Sequence, residues 1–409
     1  MGYEENEAKK QVIEAGLRLL KENLIVRTWG NISARISDTQ FVITPSGKAY
    51  ESLTPEDIVT VDIKKCSYEG DIKPSSECGI HADVYAMKPE VNFIIHTHQV
   101  YASAVSILGE DIELSEEEKN FLGDKIPCGE YGMSASAALR KKVKKCLKNN
   151  PNAKTMLLRN HGVLCMGEDM NNSFELSAMV EQVCKYKYDI LTANYEAIKA
   201  MSDEEELESW DDVLVTAEDL KADGFVDYGS SICEGDIVTL TLGEKDYKFK
   251  VTDDKPLGKG LFKKSLNKIA RMHASIYENR YVNCIAQCTL PNIVDVSKKG
   301  SGFAPYIDDQ AQIIGESLKL VGKCTKKLHF ESTKDIVKGL RDSNAVLIAG
   351  QGALITAGTR DDLEASAFVL EKGCIAAKLA GCRPDAEPVP RKYARKERDF
   401  YVDQYSKLK

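Results

Sequence analysis

Four segments from the first half of the chain return, in the same order, in the second half. "EDIVTVDI" at 56–63 returns as "GDIVTLTL" at 235–242, and "IHADVY" at 80–85 returns as "MHASIY" at 272–277. "VNFIIHTHQVYASAVS" at 91–106 returns as "VNCIAQCTLPNIVDVS" at 282–297, and "LLRNHGVLCMG" at 157–167 returns as "LIAGQGALITAG" at 347–358. The displacements are 179, 192, 191 and 190 residues. One insertion of about a dozen residues reconciles them, and ordered matches of this kind are the mark of a duplicated unit. A chain of 409 residues, 43% of them apolar, has the material for two cores.

Within the first copy, Ile13, Leu17, Leu20 and Leu24 fall on one helical face between Glu7 and Leu24, and the stretch that follows alternates and turns like paired strands. The pattern predicts a helix from about Ser76 to Lys88, a strand into His96, a helix from Gln99, paired strands through "AKTMLLRNHGVLCMG", and a long helix through Tyr188. These elements give an α/β layered domain over 1–200. "MSDEEELESWDD" has poor core potential and reads as an acidic linker over 201–224, followed by a second domain over 225–385. Residues 386–409 form a basic, aromatic tail holding "RKYARKER" and Tyr393, Phe400, Tyr401 and Tyr405. The tail is expected to be solvated or to touch a partner subunit.

A formal net charge of −8, with lysines scattered among acids, argues against nucleic acid as a partner. No apolar run approaches the roughly 20 residues of a membrane span. The acidic, helical start has no basic lead into an apolar segment, and Asn6 spoils a myristoylation signal at Gly2. Twelve dispersed cysteines with no CxxC pair read as reduced thiols of a cytoplasmic protein, with Cys128 and Cys165 in packing roles.

Only six histidines occur, at 81, 96, 98, 161, 273 and 329, and two of them sit one residue apart. On a strand, positions i and i+2 face one side, so His96 and His98 can present two imidazoles to one point. His161 would complete a set of three that suits Zn²⁺ and leaves a fourth position for substrate. The repeat serves as an internal control: Gln287, Thr289 and Gln351 stand where these three histidines stand, and Ile269 stands where Glu77 stands. His81 is instead retained as His273, which suits a histidine bonding within the fold. Nearby, "DIKPSSECGIH", "TWGN" at 28–31 and "TPSG" at 44–47 offer backbone and hydroxyl donors for an anion, although singly they read as an N-cap and turns.

Taken together, "GNIS", "ITPSGKAYESLTPEDIV", "KPSSE", "IIHTHQVYASAVS", "IPCGEY" and "LLRNHGVL" make residues 10 to about 190 resemble the class II aldolase and adducin family. The resemblance implies an α/β fold of two tandem α/β/α layered domains, each with a mostly antiparallel central sheet flanked by helices. It implies Zn²⁺, or another divalent metal, on His96, His98 and His161, with Glu77 as acid/base. It implies a phosphate site of Gly30, Asn31, Ser46, Gly47, Ser75 and Ser76, with Gly30 letting the backbone come close. A tyrosine contributed across an interface completes the family's site, and Tyr131 in "IPCGEYG" and Tyr306 in "FAPYIDD" both match that role. The implied activity is cleavage of an L-fuculose-1-phosphate-like ketose 1-phosphate to dihydroxyacetone phosphate and an aldehyde, through a metal-stabilised enediolate. The assembly expected is a homo-oligomer with sites at domain or subunit interfaces. Rhamnulose- or 5-deoxypentulose-phosphate aldolase, methylthioribulose-1-phosphate dehydratase and ribulose-phosphate 4-epimerase chemistry are the alternatives within the family. A non-catalytic, adducin-like interaction protein is the alternative outside enzymes. The second copy, without metal ligands, is expected to scaffold, contact subunits or regulate.

Overall fold

The computed structural model describes residues 2–22, 24–25, 29–193, 228–254, 256–257, 261–298, 301–323 and 331–405; the linker expected over 201–224 lies outside them. The chain divides into two compact units. The first comprises Met1–Ala193, Tyr306–Asp308 and Leu379–Lys409, and the second Asn194–Pro305 and Asp309–Lys378. The tail and three residues from the middle of the second repeat thus group with the first unit.

In the first unit, helix α1 (Glu5–Lys21) leads into strands β1 (Gly30–Arg35), β2 (Gln40–Ile43) and β3 (Val59–Asp62). Helix α2 (Cys78–Met87), strand β4 (Phe93–Thr97) and helix α3 (Val100–Ser106) follow. Next come β5 (Ile112–Glu113), α4 (Glu116–Leu122), β6 (Lys125–Ile126), β7 (Cys128–Gly129) and α5 (Ala137–Asn149). Strands β8 (Thr155–Leu158) and β9 (Gly162–Gly167) and the long helix α6 (Met170–Thr192) complete it. Seven strands make one sheet in the order β3-β2-β1-β4-β9-β8-β7, antiparallel except for the β7–β8 pair.

Alternation along β4 sends Ile94 and His96 to one face and Phe93 and Ile95 to the other. On the first face Ile94 joins Phe41, Ile80, Val84, Leu139 and Val143 in a core beneath α2 and α5. On the opposite face α6 lies across β4 and β9, and α1 across β1. His96 therefore emerges on the α2 face at the strand's last turn, where apolar packing gives way to the N-terminus of that helix.

The buried stripe of α1 differs from the expected one. Ala8, Val12, Ala15, Gly16 and Leu19 face the sheet, while Leu17 is exposed. The reason is distance: small residues let the helix lie close, and a Cβ on Gly16 would stand 2.2 Å from the Tyr50 ring. The larger apolar residues flank that contact instead of making it.

The second unit repeats the plan with β10 (Ser230–Glu234), β11 (Ile237–Leu242), β12 (Lys245–Lys250), helix α7 (Leu261–Asn279), β13 (Cys284–Cys288) and helix α8 (Pro291–Ser297). Helix α9 (Asp308–Ile313), β14 (Lys319–Val321), helix α10 (Thr333–Gly339), β15 (Ala345–Ile348), β16 (Gly352–Ala357) and helix α11 (Arg360–Cys382) follow. Its sheet order, β12-β11-β10-β13-β16-β15-β14, matches the first strand for strand, including one parallel pair, β14–β15. Registers match as well: His96 pairs with Leu164, and Gln287 with Leu354. Even a helix cap is shared, since Glu181 accepts from the amides of Tyr101 and Ala102 and Glu371 from those of Asn292 and Ile293.

One of the four sequence matches is nevertheless out of place. "GDIVTLTL" forms β11, which occupies the position of β2, whereas "EDIVTVDI" forms β3. Ile43 pairs with Ser33, and its structural counterpart Leu240 pairs with Ser231. The discordant displacement of that match thus reflects two similar strands at different sheet positions, not an insertion. Residues 44–58, between β2 and β3, shrink to a two-residue hairpin at 243–244 in the second unit. Among the described residues no helix is long and apolar enough to cross a membrane.

Candidate metal centre

Backbone geometry first brings three imidazoles together. A Cβ on Gly30, whose φ is +133°, would stand 2.6 Å from the His96 carbonyl, so glycine lets β1 close on β4. The close approach that Gly30 makes is therefore to a strand. Between β8 and β9, Asn160 takes a positive φ of 60°, and a Cβ on Gly162 would meet the Thr97 carbonyl at 2.3 Å. That tight turn carries His161 to the end of β4.

His96 Nε2 lies 3.1 Å from His98 Nε2 and 3.2 Å from His161 Nε2. A tetrahedral ion with bonds of 2.0 to 2.1 Å would hold its nitrogens about 3.3 Å apart. The spacing therefore fits. Tautomers agree: His96 Nδ1 donates to the Val163 carbonyl at 2.9 Å, and His161 Nδ1 to Asp308 Oδ2 at 3.0 Å. An imidazole whose Nδ1 carries the hydrogen-bonded proton presents its lone pair at Nε2, the atom that converges on the shared point. Among the described residues these three histidines form the one group able to hold a metal ion.

Glu77, the N-cap residue immediately before α2, faces the same point. Its Oε2 is 3.2 Å from His96 Nε2 and its Oε1 3.5 Å from His161 Nε2. Asn31 Nδ2 donates to Oε2 at 3.2 Å, and the Ala135 amide to Oε1 at 3.4 Å. Burial pulls the His96 imidazolium down to about 3, so this ring is neutral. At His161 burial acts the same way, but the carboxylates of Glu77 and Asp308 overturn it and set the ring at about 10. Burial raises the Glu77 carboxyl, and the imidazoles of His96 and His161 outweigh it, holding the group well below the usual carboxylate range. Two buried carboxylates around three ring nitrogens make an environment suited to a cation.

The retained histidine does bond within the fold. His81 Nε2 donates to Asn31 Oδ1 at 2.5 Å, its Nδ1 accepts from Ser33 Oγ at 2.6 Å, and Tyr85 bonds the same hydroxyl at 2.8 Å. In the second unit Ser231, His273 and Tyr277 repeat the triangle at 2.6 and 2.7 Å. The difference lies at Nε2, because His273 donates to the Tyr228 carbonyl at 2.7 Å. In the first unit this common device also turns the Asn31 amide so that Nδ2 meets Glu77.

The two small polar loops adjoin. Pro45 bridges Pro74, the Ser46 amide donates to the Lys73 carbonyl, and the Ser75 amide to the Thr44 carbonyl, both at 2.9 Å. Ser75 is buried with its hydroxyl accepting from the Glu77 amide at 3.3 Å, Ser76 is exposed, and Ser46 and Gly47 are half-buried. Asn31 engages its amide with His81 and Glu77, so one N–H of Nδ2 is what it retains for another acceptor.

Both candidate tyrosines fall in the first unit. Tyr131 donates to Asp308 Oδ1 at 3.0 Å, and burial, then the Asp308 and Glu397 carboxylates, push its phenol upward. Tyr306 offers its backbone carbonyl to Asn160 Nδ2 at 2.8 Å, and burial raises its phenol too. The tail helix α12 (Arg391–Phe400) is not merely solvated. Tyr393 packs on the Tyr131 ring at 5.7 Å between centroids, and fully buried Glu397 accepts from the Ser134 amide and hydroxyl at 2.8 and 2.5 Å. The described cysteines are free thiols, and burial raises those of Cys128 and Cys165 to about 12, in keeping with packing roles.

Sequence reasoning missed Asp308, Glu397 and the Ala135 amide. Asp308 lies two residues after Tyr306 in "FAPYIDD", a motif read only for its tyrosine, and stands 147 residues from the histidine it meets.

Residues 10–188 match the family described as "Class II Aldolase and Adducin N-terminal domain". L-fuculose phosphate aldolase of Escherichia coli (strain K12) is 32% identical over 203 residues, spanning 49% of this chain and 92% of that protein. The protein of the same name from Methanococcus maripaludis (strain C7) is 30% identical over 170 residues, or 42% of this chain and 90% of that one. A solved structure described as "L-fuculose 1-phosphate aldolase" shares 28% identity at a TM-score of 0.43, covering 46% of this chain and 87% of its own.

Proposed function

The chain belongs to the class II aldolase and adducin family, and on that premise we propose that its first unit is a metal-dependent aldolase. It would cleave the C3–C4 bond of an L-fuculose-1-phosphate-like ketose 1-phosphate to dihydroxyacetone phosphate and an aldehyde. The observation that carries this reading is one buried carboxylate, Glu77, set against three convergent Nε2 atoms.

A divalent cation held by His96, His98 and His161, Zn²⁺ by the ligand set, would polarise the substrate carbonyl and stabilise the negative charge that develops as the bond breaks. Glu77 would move the proton at C3 of the dihydroxyacetone phosphate half. Asn31 and Ala135 each hold one of its oxygens, which leaves the carboxylate a single orientation. Donors on the adjoining loops, Ser46, Gly47, Ser75 and Ser76, with the remaining Asn31 N–H, would take the phosphate. Gly30 would serve indirectly, by letting β1 carry Asn31 against β4. Tyr306, in its "APY" setting, is assigned the proton on the C4 oxygen, and the Tyr131 hydroxyl donates to Asp308.

The test is a panel of ketose 1-phosphates assayed for dihydroxyacetone phosphate, with Glu77→Gln and His96→Ala as controls. Release from an L-fuculose-type substrate, lost in both variants, supports the proposal. A protein that binds no zinc and releases no product from any member of the panel refutes it. A homo-oligomer is the assembly this reading expects, and sedimentation measures it.

A further inference from the structure

The short segment that the second repeat places in the first unit ends in a carboxylate bonded to two groups already described. Asp308 is fully buried; its Oδ2 accepts from His161 Nδ1 and its Oδ1 from the Tyr131 hydroxyl, each at 3.0 Å. Its own amide donates to the Asn160 carbonyl at 2.8 Å, and the Asn160 side chain donates to the Tyr306 and Glu387 carbonyls at 2.8 and 3.1 Å. The segment is thus pinned at backbone level to the turn that presents His161. Asp308 lies outside the family match, which ends at residue 188.

We infer that Asp308 is a positioning residue through which the second repeat completes the metal centre of the first, fixing the His161 tautomer and ring plane and holding Tyr131 as a hydrogen-bond donor. The inference rests on the metal-centre reading above. A ligating imidazole whose other nitrogen donates to a carboxylate is both oriented and made more basic, and removal of such outer partners weakens metal binding by roughly 10- to 100-fold. The second repeat, though stripped of ligands, would then be retained partly because the first cannot hold its ion well without it. Tyr131 acts here through Asp308 and not as the group that meets substrate.

The experiment uses the full chain and Zn²⁺ alone, titrated into metal-free protein against a chromophoric chelator. Asp308→Asn keeps the side-chain size and can still accept from His161, yet removes the charge. The expected result is a drop in Zn²⁺ affinity of roughly 10- to 100-fold, with the metal-free protein still folded by circular dichroism. Tyr131→Phe, which leaves the carboxylate on His161, should bind Zn²⁺ as the parent does. Equal affinity in Asp308→Asn and the parent overturns the inference while the metal reading stands. A parent chain that binds no Zn²⁺ overturns both. Should Asp308→Asn fail to fold, ¹⁵N-histidine spectra of the parent decide the matter. His161 protonated at Nδ1 and bound through Nε2 supports the assignment, and binding through Nδ1 overturns it.

Discussion

Glu77→Gln isolates the proposed proton carrier with little change of volume. The side chain is 8% exposed, so its replacement must satisfy the same neighbours without help from water. The amide oxygen of glutamine can accept from Asn31 Nδ2 or from the Ala135 amide but not from both, and its –NH₂ then faces a donor. One buried donor left unsatisfied costs about 1–3 kcal/mol of stability. Loss of a general base removes about 10²- to 10⁴-fold in rate, equivalent to about 2.7–5.4 kcal/mol of barrier. The substrate's metal and phosphate contacts are untouched, so the loss should fall on kcat and leave KM nearly as it was. Steady-state release of dihydroxyacetone phosphate measures the rate, metal analysis shows that zinc is retained, and urea unfolding reads the stability term. A variant that keeps zinc and more than about a tenth of the parental kcat would mean that proton transfer does not depend on this carboxylate.

If Tyr306 serves the C4 oxygen, Tyr306→Phe should lower kcat more than Tyr131→Phe does, and the reverse ranking in the same assay would reassign the role. Gly30→Ala forces a side chain at φ +133° onto a carbonyl 2.6 Å away, so it should lose more stability in urea than Gly243→Ala. The latter meets open space at φ +58° and costs about 1–2 kcal/mol. Glu397→Gln weakens two charge-assisted bonds to Ser134, with an expected loss of about 1.5–3 kcal/mol by chemical denaturation and a parallel fall in activity as the Ala135 amide shifts.

What the sequence made legible was local or repeated. The i, i+2 spacing of His96 and His98 is a property of a strand, and β4 is the strand that the apolar run predicts. Comparison with Gln287 and Thr289 separates what the strand needs from what the histidines add. Long-range polar contacts were not legible, because no local pattern couples Asp308 to His161 or Glu397 to Ser134. Each partner is an ordinary acid in an ordinary context until the fold brings it near. The buried face of α1 was misjudged for a related reason. Size decided it, and small residues were favoured where the helix approaches Tyr50 and the sheet. The match between β3 and β11 misled because two half-buried strands of one sheet can share an alternation without sharing a position.

The joint absence of the three histidines and the carboxylate from the second unit follows from the energetics of the proposed site. A buried carboxylate deprived of its imidazole neighbours keeps its desolvation cost and loses its compensation, a penalty of several kcal/mol. Three imidazole nitrogens crowded at one spot are likewise unfavourable without a cation between them. Neither half of the set is stable alone, so any drift that removed one would favour removal of the other. The second unit shows the outcome: Ile269 is buried where Glu77 stands. Gln287 replaces His96 with an amide that satisfies backbone, its Oε1 accepting from the Tyr228 amide at 2.8 Å and its Nε2 donating to the Gln351 carbonyl at 2.9 Å. By the same reasoning, returning Gln287, Thr289 and Gln351 together to histidine should not restore a metal site while Ile269 remains. Adding Ile269→Glu without the histidines should destabilise the unit more than any other single change of the set. Equilibrium unfolding of the parent, the histidine variant, Ile269→Glu and their combination reads the coupling, and strictly additive effects would show that the carboxylate and the imidazoles are independent after all.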